Sequence, residues 1–312
     1  MDQKKWPATI LVICLAAALA LTVLHLYFVD LPNSQFQQDW HQRVISLNGP
    51  YPDQYRLLTF LLADWIMDAG VSFHAAYFLI RLVFTFGSLL LLAVFLRTFV
   101  KPTSVLIGLA LFTCSVPFSY MYYSMQMGDP LNMFVFFGAL VVLLKQQDWL
   151  MIPLVVIGMF NRETAILLPL LYGMTKYQRA TKRWIPMFLI LSALAWGIFI
   201  TIRMWLGPRL PYAPTSPLLY LRVNLTEWQT WVQLFRFFNI SLLLPWVTWK
   251  QQPLFLKRAA LIIPFFLIIH LCVGYMREVR YFLPLMPILI TMSMVAYERL
   301  SSKLGGRFGI PA

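Results

Sequence analysis

Residues 7–28 read PATILVICLAAALALTVLHLYF. They carry no Asp, Glu, Lys or Arg, and as a helix they are long enough to cross the roughly 30 Å hydrocarbon core of a bilayer. Lys4 and Lys5 precede the run, and no small-residue cleavage pattern follows it, so it is expected to stay as a first span and not to be removed as a signal peptide. Comparable apolar runs recur at about 71–100, 103–122, 131–144, 149–172, 184–204, 240–249, 259–273 and 281–297. They lack the alternation of barrel strands, and in lipid only helices or closed barrels satisfy the backbone. The expectation is an all-α polytopic integral membrane protein with about 8–10 transmembrane segments, counting short or re-entrant helices, as a single transmembrane domain over 1–312.

Composition agrees. The 312 residues are 60% hydrophobic and only 12% charged, with a mean hydropathy of +0.71. A water-facing surface of ordinary polarity cannot be made from this. The net charge of +13 does not point to nucleic acid: much of it lies in short loops between spans, where it sets orientation and meets anionic headgroups. Cys14, Cys114 and Cys272 all fall in apolar runs without metal-site spacing, and no structural disulfide is expected.

Positive residues near span ends place both termini in the cytoplasm: Lys4 and Lys5 at one, Arg299, Lys303 and Arg307 at the other. Two stretches then fall outside. The first is 29–70, polar to Tyr55 and amphipathic from Arg56 to Asp68, a part expected to lie along the interface. The second is 207–238, which opens with Pro208, Pro211, Pro214 and Pro217, implying irregular backbone, and closes on an amphipathic Trp/Phe/Arg segment. The run 149–172 is broken by Asn161-Arg162-Glu163-Thr164. With Lys145 on one flank and Lys176, Arg179, Lys182 and Arg183 on the other, it reads best as two short helices going in and out, the polar tetrad at the tip; a single ordinary span is the alternative.

On this topology Asp30, Asp39, Asp53, Asp64, Asp68, Asp129, Glu163, Glu227 and Glu278 all lie outside, and the orientation rule, which ignores acids, did not put them there. Arg43, Arg56, Arg162, Arg209, Arg222, Arg236, Arg277 and Arg280 gather there against the usual bias, as residues that clamp an anion would. The first outer stretch adds Trp40, His41, Tyr51 and Tyr55, flat rings that stack on sugars or sit in an aromatic belt. An arginine opening a membrane helix also reaches to headgroups, and a loop histidine is more often plain surface.

Taken together, Asp39 in the loop after the first span, Tyr55-Arg56-Leu57-Leu58 entering an amphipathic helix, Asp129-Pro130, the Asn161-to-Thr164 break and Arg280-Tyr281-Phe282-Leu283-Pro284 resemble the GT-C superfamily of membrane glycosyltransferases. The resemblance covers most of the chain as an ordering of segments. The chain departs from many members in having no large soluble C-terminal domain and no adjacent acidic pair in the first loop. The resemblance implies transfer of a sugar from a polyprenyl-phosphate carrier to an acceptor hydroxyl of a lipid, glycan or protein, on the non-cytoplasmic face of a bacterial plasma (inner) membrane. It implies Asp39 as general base, with His41 as rival, and arginines stabilising the departing phosphate: Arg280 and Arg277 first, Arg162 next. Tyr281, Trp40, Asp53, Tyr55, Arg56, Asp129 and Glu163 complete the expected substrate site. No Asp/His/Glu spacing of the metal-ligand kind supports a divalent ion. A transporter or flippase of a lipid-linked or anionic substrate is the other class that broken helices and intramembrane arginines mark. Asn224-Leu225-Thr226 has the pattern of a glycosylation sequon.

Overall fold

The computed structural model describes residues 6–122, 125–177, 182–208 and 216–308. Among them the regular structure is helical, with no strand. In chain order the helices are α1 (Trp6–His25), α2 (Ser34–Ile45), α3 (Leu57–Asp68), α4 (Phe73–Arg97), α5 (Pro102–Ser115), α6 (Asp129–Leu144), α7 (Met151–Asn161), α8 (Leu168–Lys176), α9 (Trp184–Leu206), α10 (Pro217–Thr226), α11 (Trp228–Phe238), α12 (Leu244–Val247), α13 (Leu254–Ala260), α14 (Ile262–Val273) and α15 (Met286–Phe308). Six helical stretches are long and apolar enough to cross a membrane: Ala8–Asp30, Phe73–Arg97, Pro102–Tyr120, Trp184–Leu206, Leu254–Val273 and Val279–Ser302. Asp129–Leu144 and Asp148–Asn161 are shorter apolar helices. The chain is an all-α polytopic membrane protein.

Helices apolar on every side belong in the middle. α6 buries Phe136, Phe137, Leu140 and Leu143 and packs on α4 and α7, and α15 buries Met286, Ile290 and Met292 against α5 and α12. α9, by contrast, turns Leu189, Ile190, Trp196 and Trp205 outward, as a lipid-facing helix does.

The break in 149–172 is a hairpin. α7 ends at Asn161, a 3-10 turn covers Glu163–Leu167, and α8 returns. The two far ends close on each other: Lys176 Nζ lies 2.5 Å from Asp148 Oδ1 and donates to Gln146 Oε1 at 2.6 Å, and the Tyr172 hydroxyl donates to Asp148 Oδ2 at 3.2 Å. The same end collects Lys101, whose backbone N–H donates to Glu298 at 2.7 Å, Arg258, donating to the Thr175 carbonyl, and Arg299, donating to Gln251. This is the basic end of the bundle; the acidic residues of the outer stretches lie towards the other.

Three expectations change. The stretch 29–70, expected outside, is built of helices, α2 and α3, joined through a turn at Asp53–Tyr55; it is not a loop with one interfacial helix. Its buried face, Gln37, Trp40, His41 and Val44, has the i, i+3, i+4, i+7 spacing of a helix packed on its neighbours. The expected span at 240–249 is not one helix: 3-10 turns at Asn239–Leu242 and Trp249–Gln251 flank the four-residue α12, whose Pro245 has no N–H to give a longer ladder. Gln252 ties this stretch to α15 through the Met292 carbonyl at 2.9 Å. The sequon pattern does not lie on the surface, because Asn224 is fully buried. Lys4, Lys5, Arg179, Arg209, Pro211 and Pro214 lie outside the described residues, as do the side chains of Lys303 and Arg307.

Candidate functional site

At the end opposite the basic one, the hairpin tip, the start of α6, the start of α3 and the turn Val279–Leu285 meet. Asn161 fixes the tip. Its amide donates to the Gly128 carbonyl at 2.9 Å and its Oδ1 accepts from Thr59 at 2.6 Å, so α3, α7 and the approach to α6 share one residue. Gly128 allows the approach, since a Cβ there would stand 3.0 Å from Asn161 Oδ1.

Four guanidiniums and four carboxylates assemble around this point. Arg162 and Arg280 both pair with Asp129, Arg280 at 3.1 Å. Arg280 also donates to Glu278 Oε2 from Nε at 3.1 Å and from Nη2 at 2.9 Å. Arg56 donates to Asp53 and to Glu163, 2.8 Å each, and Arg203 reaches Glu163 at 3.5 Å. Asp129 is 5% exposed and sits in the first turn of α6, where the helix dipole favours a negative charge. Aromatic rings take the guanidinium faces: Tyr281 lies 4.8 Å from Arg280 and 5.1 Å from Arg162, and Arg203 stands 4.5 Å over Tyr55. Burial would raise the Glu163 carboxyl, but Arg56 outweighs it and holds Glu163 below the usual carboxylate range; Glu163, with Asp53, keeps Arg56 protonated in turn.

The pairing is balanced in charge but incomplete in hydrogen bonds. Arg162 Nε and Nη2 are buried and find no hydrogen-bond partner among the described residues. Glu278 Oε2 takes both Arg280 donors, and Oε1 makes no hydrogen bond or ion pair among them.

A cavity of about 580 Å³ opens on this cluster. Its lining is mixed: Arg56, Arg162, Arg203, Arg280, Glu163 and Glu278 are charged, and Ile166, Leu167, Phe199, Ile269 and Val273, from the hairpin, α9 and α14, are apolar. Ile269 and Val273 keep 36% and 58% of their surface exposed. Beneath the cavity a chamber of about 20 Å³, room for about one water, is lined by Asp53, Arg56, Asp129, Asn161, Arg162 and Arg280.

Of the residues singled out in the sequence, Arg56, Asp53, Asp129, Arg162, Glu163, Arg280 and Tyr281 come together here, and Tyr55 stands against Arg203. The others do not. Asp39 is exposed on α2, where Gln35 donates to it at 2.9 Å, and it lines neither cavity. Trp40 is 3% exposed, packed with Val44, Phe60 and Tyr77. His41 is fully buried, with Nδ1 2.9 Å from the Tyr77 hydroxyl and Nε2 3.5 Å from Asp64. Arg277 pairs with Glu227 at 3.3 Å, half-buried, beside Tyr122 and Tyr275. Arg203, Glu278 and His270 were not among the expected site residues. Arg203 reads in sequence as a span-end arginine reaching for headgroups, and only its position facing the hairpin tip gives it a different role. His270 stacks on Tyr281 at 4.8 Å and donates from Nδ1 to the Phe266 carbonyl. Among the described residues, no group of three His, Cys, Asp or Glu side chains converges as metal ligands would. Compared with known proteins, the chain matches no family model, no curated protein and no solved structure.

Proposed function

We propose that the chain is a membrane glycosyltransferase that moves a sugar from a polyprenyl-phosphate carrier to an acceptor hydroxyl, with its site on the non-cytoplasmic face of a bacterial plasma membrane. The observation that carries this reading is the mixed lining of the cavity. Arginines and exposed apolar side chains around one space fit one molecule with an anionic head and a hydrocarbon tail. The carrier's chain lies along Phe199, Leu167, Ile269 and Val273, and its phosphate meets Arg162, Arg203 and Arg280. The unused donors of Arg162 suit an oxyanion, and a guanidinium offers two of them in a fixed fork.

The chemistry is a displacement. The acceptor oxygen attacks the anomeric carbon, the bond from that carbon to the phosphate oxygen breaks, and the electron pair leaves with the lipid phosphate, whose growing charge the arginines stabilise. A general base must reach the acceptor proton directly or through one water. Asp39, the base implied by the resemblance, stands outside the cavity. Glu278 lines it with one oxygen held by Arg280 and the other making no hydrogen bond among the described residues, and we assign the base to Glu278.

The test is reconstitution of the purified chain in liposomes with undecaprenyl-phosphate-linked hexoses and pentoses. Release of undecaprenyl phosphate with a new glycosylated product supports the reading. Movement of intact lipid-linked sugar between leaflets with no product would establish the transporter class instead, and neither binding nor release of any such lipid overturns both.

A further inference from the structure

Resting on the functional reading above, we infer that Asn224 is a positioning residue that holds Glu278 and Arg280 in the site from outside it. Its side chain is 0% exposed, and its amide is used at both ends. Nδ2 donates to the carbonyls of Gly274 at 2.7 Å, Leu271 at 3.0 Å and His270 at 3.4 Å; Oδ1 accepts from the Met276 N–H at 2.9 Å. The last carbonyls of a helix have no partner within it. α14 ends at Val273, where the Gly274 N–H takes up the His270 carbonyl at 3.2 Å, and a side chain from α10 meets the next carbonyls, those of Leu271 and Gly274.

The consequence for the site is short in sequence. Two residues after Met276 comes Glu278 and four after it comes Arg280, so the bond to the Met276 N–H fixes the backbone from which both project. The passage is already tight: a Cβ on Gly274 would stand 3.3 Å from the Tyr281 ring, which faces Arg280 and Arg162. Around Asn224 the same pair of elements is clasped twice more, by the edge-on rings of Tyr220 and Tyr275 at 4.9 Å and by Glu227 with Arg277 at 3.3 Å. Tyr220 itself lines the cavity. The stretch after α9 therefore sets the geometry of the charged lining, and the buried amide is its main grip.

The probe is undecaprenyl phosphate, bound to the protein in nanodiscs and read by native mass spectrometry. Asn224→Ala is expected to weaken binding by about 100-fold, the effect of misplacing a binding group by about 1 Å. Made in an Arg280→Ala background, the same change is expected to cost nothing further, because both act through one guanidinium; a substitution that merely loosened the fold would cost the same in either background. Asn224→Leu, which keeps the volume but loses both the bond from Met276 and the donors to three carbonyls, serves if the alanine variant does not fold. Unchanged affinity in either variant, or losses that add in the double variant, overturns the inference alone. Wild-type protein that binds no undecaprenyl phosphate overturns the functional reading and this inference with it.

Discussion

Asp129 joins Arg162 to Arg280, and all three side chains are 6% exposed or less. Removing one partner of a buried ion pair costs more than the pair is worth, because it leaves uncompensated charge. Asp129→Asn is therefore expected to destabilise the protein by about 3 kcal/mol, seen as a lowered midpoint of thermal unfolding in detergent. Asp39→Asn, at an exposed carboxylate, is expected to move that midpoint by less than about 0.5 kcal/mol equivalent. Glu278 and Asp39 are the two candidates for the base. Glu278→Gln keeps shape and the hydrogen bond to Arg280 but cannot take a proton, so turnover is expected to fall by about 100-fold or more, whereas Asp39→Asn is expected to leave it within about twofold. The reverse result would return the base to α2. Which acids belong to the site was half legible in the sequence. Asp129, Arg162, Glu163 and Arg280 are charges inside or beside apolar runs, where charge needs a reason. Asp39 looked equivalent because its stretch was read as a loop. Read as a helix, Gln37, Trp40, His41 and Val44 form the packed face and leave Asp39 and Arg43 on the other, a pattern present in the residues but useless until the helix is recognised.

The hairpin of α7 and α8 delivers Arg162 and Glu163, and its crossing depends on Gly158. A Cβ there would stand 2.7 Å from the Ala165 Cβ and 3.1 Å from Val135 Cγ1, and Ala165, whose Cβ is fixed to its backbone, can make room only by moving the turn that carries Glu163. Gly158→Ala is expected to cost about 1–3 kcal/mol by overpacking and to weaken undecaprenyl phosphate binding through the displaced tip. Normal stability and normal binding together would show that the turn adjusts freely. The hairpin was legible as two short helices because Lys145 and Lys176 flank a polar break; the partner that closes it, Asp148, was not, since one aspartate in a connecting loop has no pattern. α2 is held differently, by His41 beneath it against Tyr77 and Asp64. Burial lowers the His41 pKa, with Asp64 opposing. The folded imidazole therefore binds a proton less readily than the unfolded one, whose pKa is about 6.5. The contribution to stability is complete above about pH 6.5 and declines as pH falls below it, because only the released histidine gains a proton there. Hydrogen exchange of residues 34–45 is expected to rise between pH 7.5 and 5, and His41→Gln is expected to flatten that rise; an exchange rate independent of pH once the intrinsic dependence is removed would count against it.

Across the whole molecule, an excess of basic residues gathers at one end of the bundle and the charge-balanced cluster at the other. Lys101, Lys176, Arg258 and Arg299 meet at one end through contacts with Glu298, Asp148, Thr175 and Gln251, while Asp53, Asp129, Glu163 and Glu278 meet at the other around the cavity. Span positions were legible because about 20 apolar residues have few alternatives to a membrane helix. The stretch 240–249 was misread because hydropathy does not register what Pro245 does to a backbone ladder, and Arg203 was passed over because a span-end arginine looks the same whether it meets a headgroup or a site. The sorting makes orientation a single question. Lysines and arginines in short loops stay cytoplasmic while acids have little influence, so the basic end is expected inside and the cavity outside. In a variant with Cys14, Cys114 and Cys272 replaced, a cysteine at Asn48, exposed beyond α2, is expected to react with an impermeant maleimide in intact cells. One at Ser302, exposed on α15 beyond Glu298 and Arg299 at the basic end, is expected to react only after the membrane is permeabilised. The opposite pattern would turn the cavity to the cytoplasm, removing the case for a donor reached on the non-cytoplasmic face, and would set Lys101, Lys145, Lys176 and Arg258 together against the rule from which the orientation was argued.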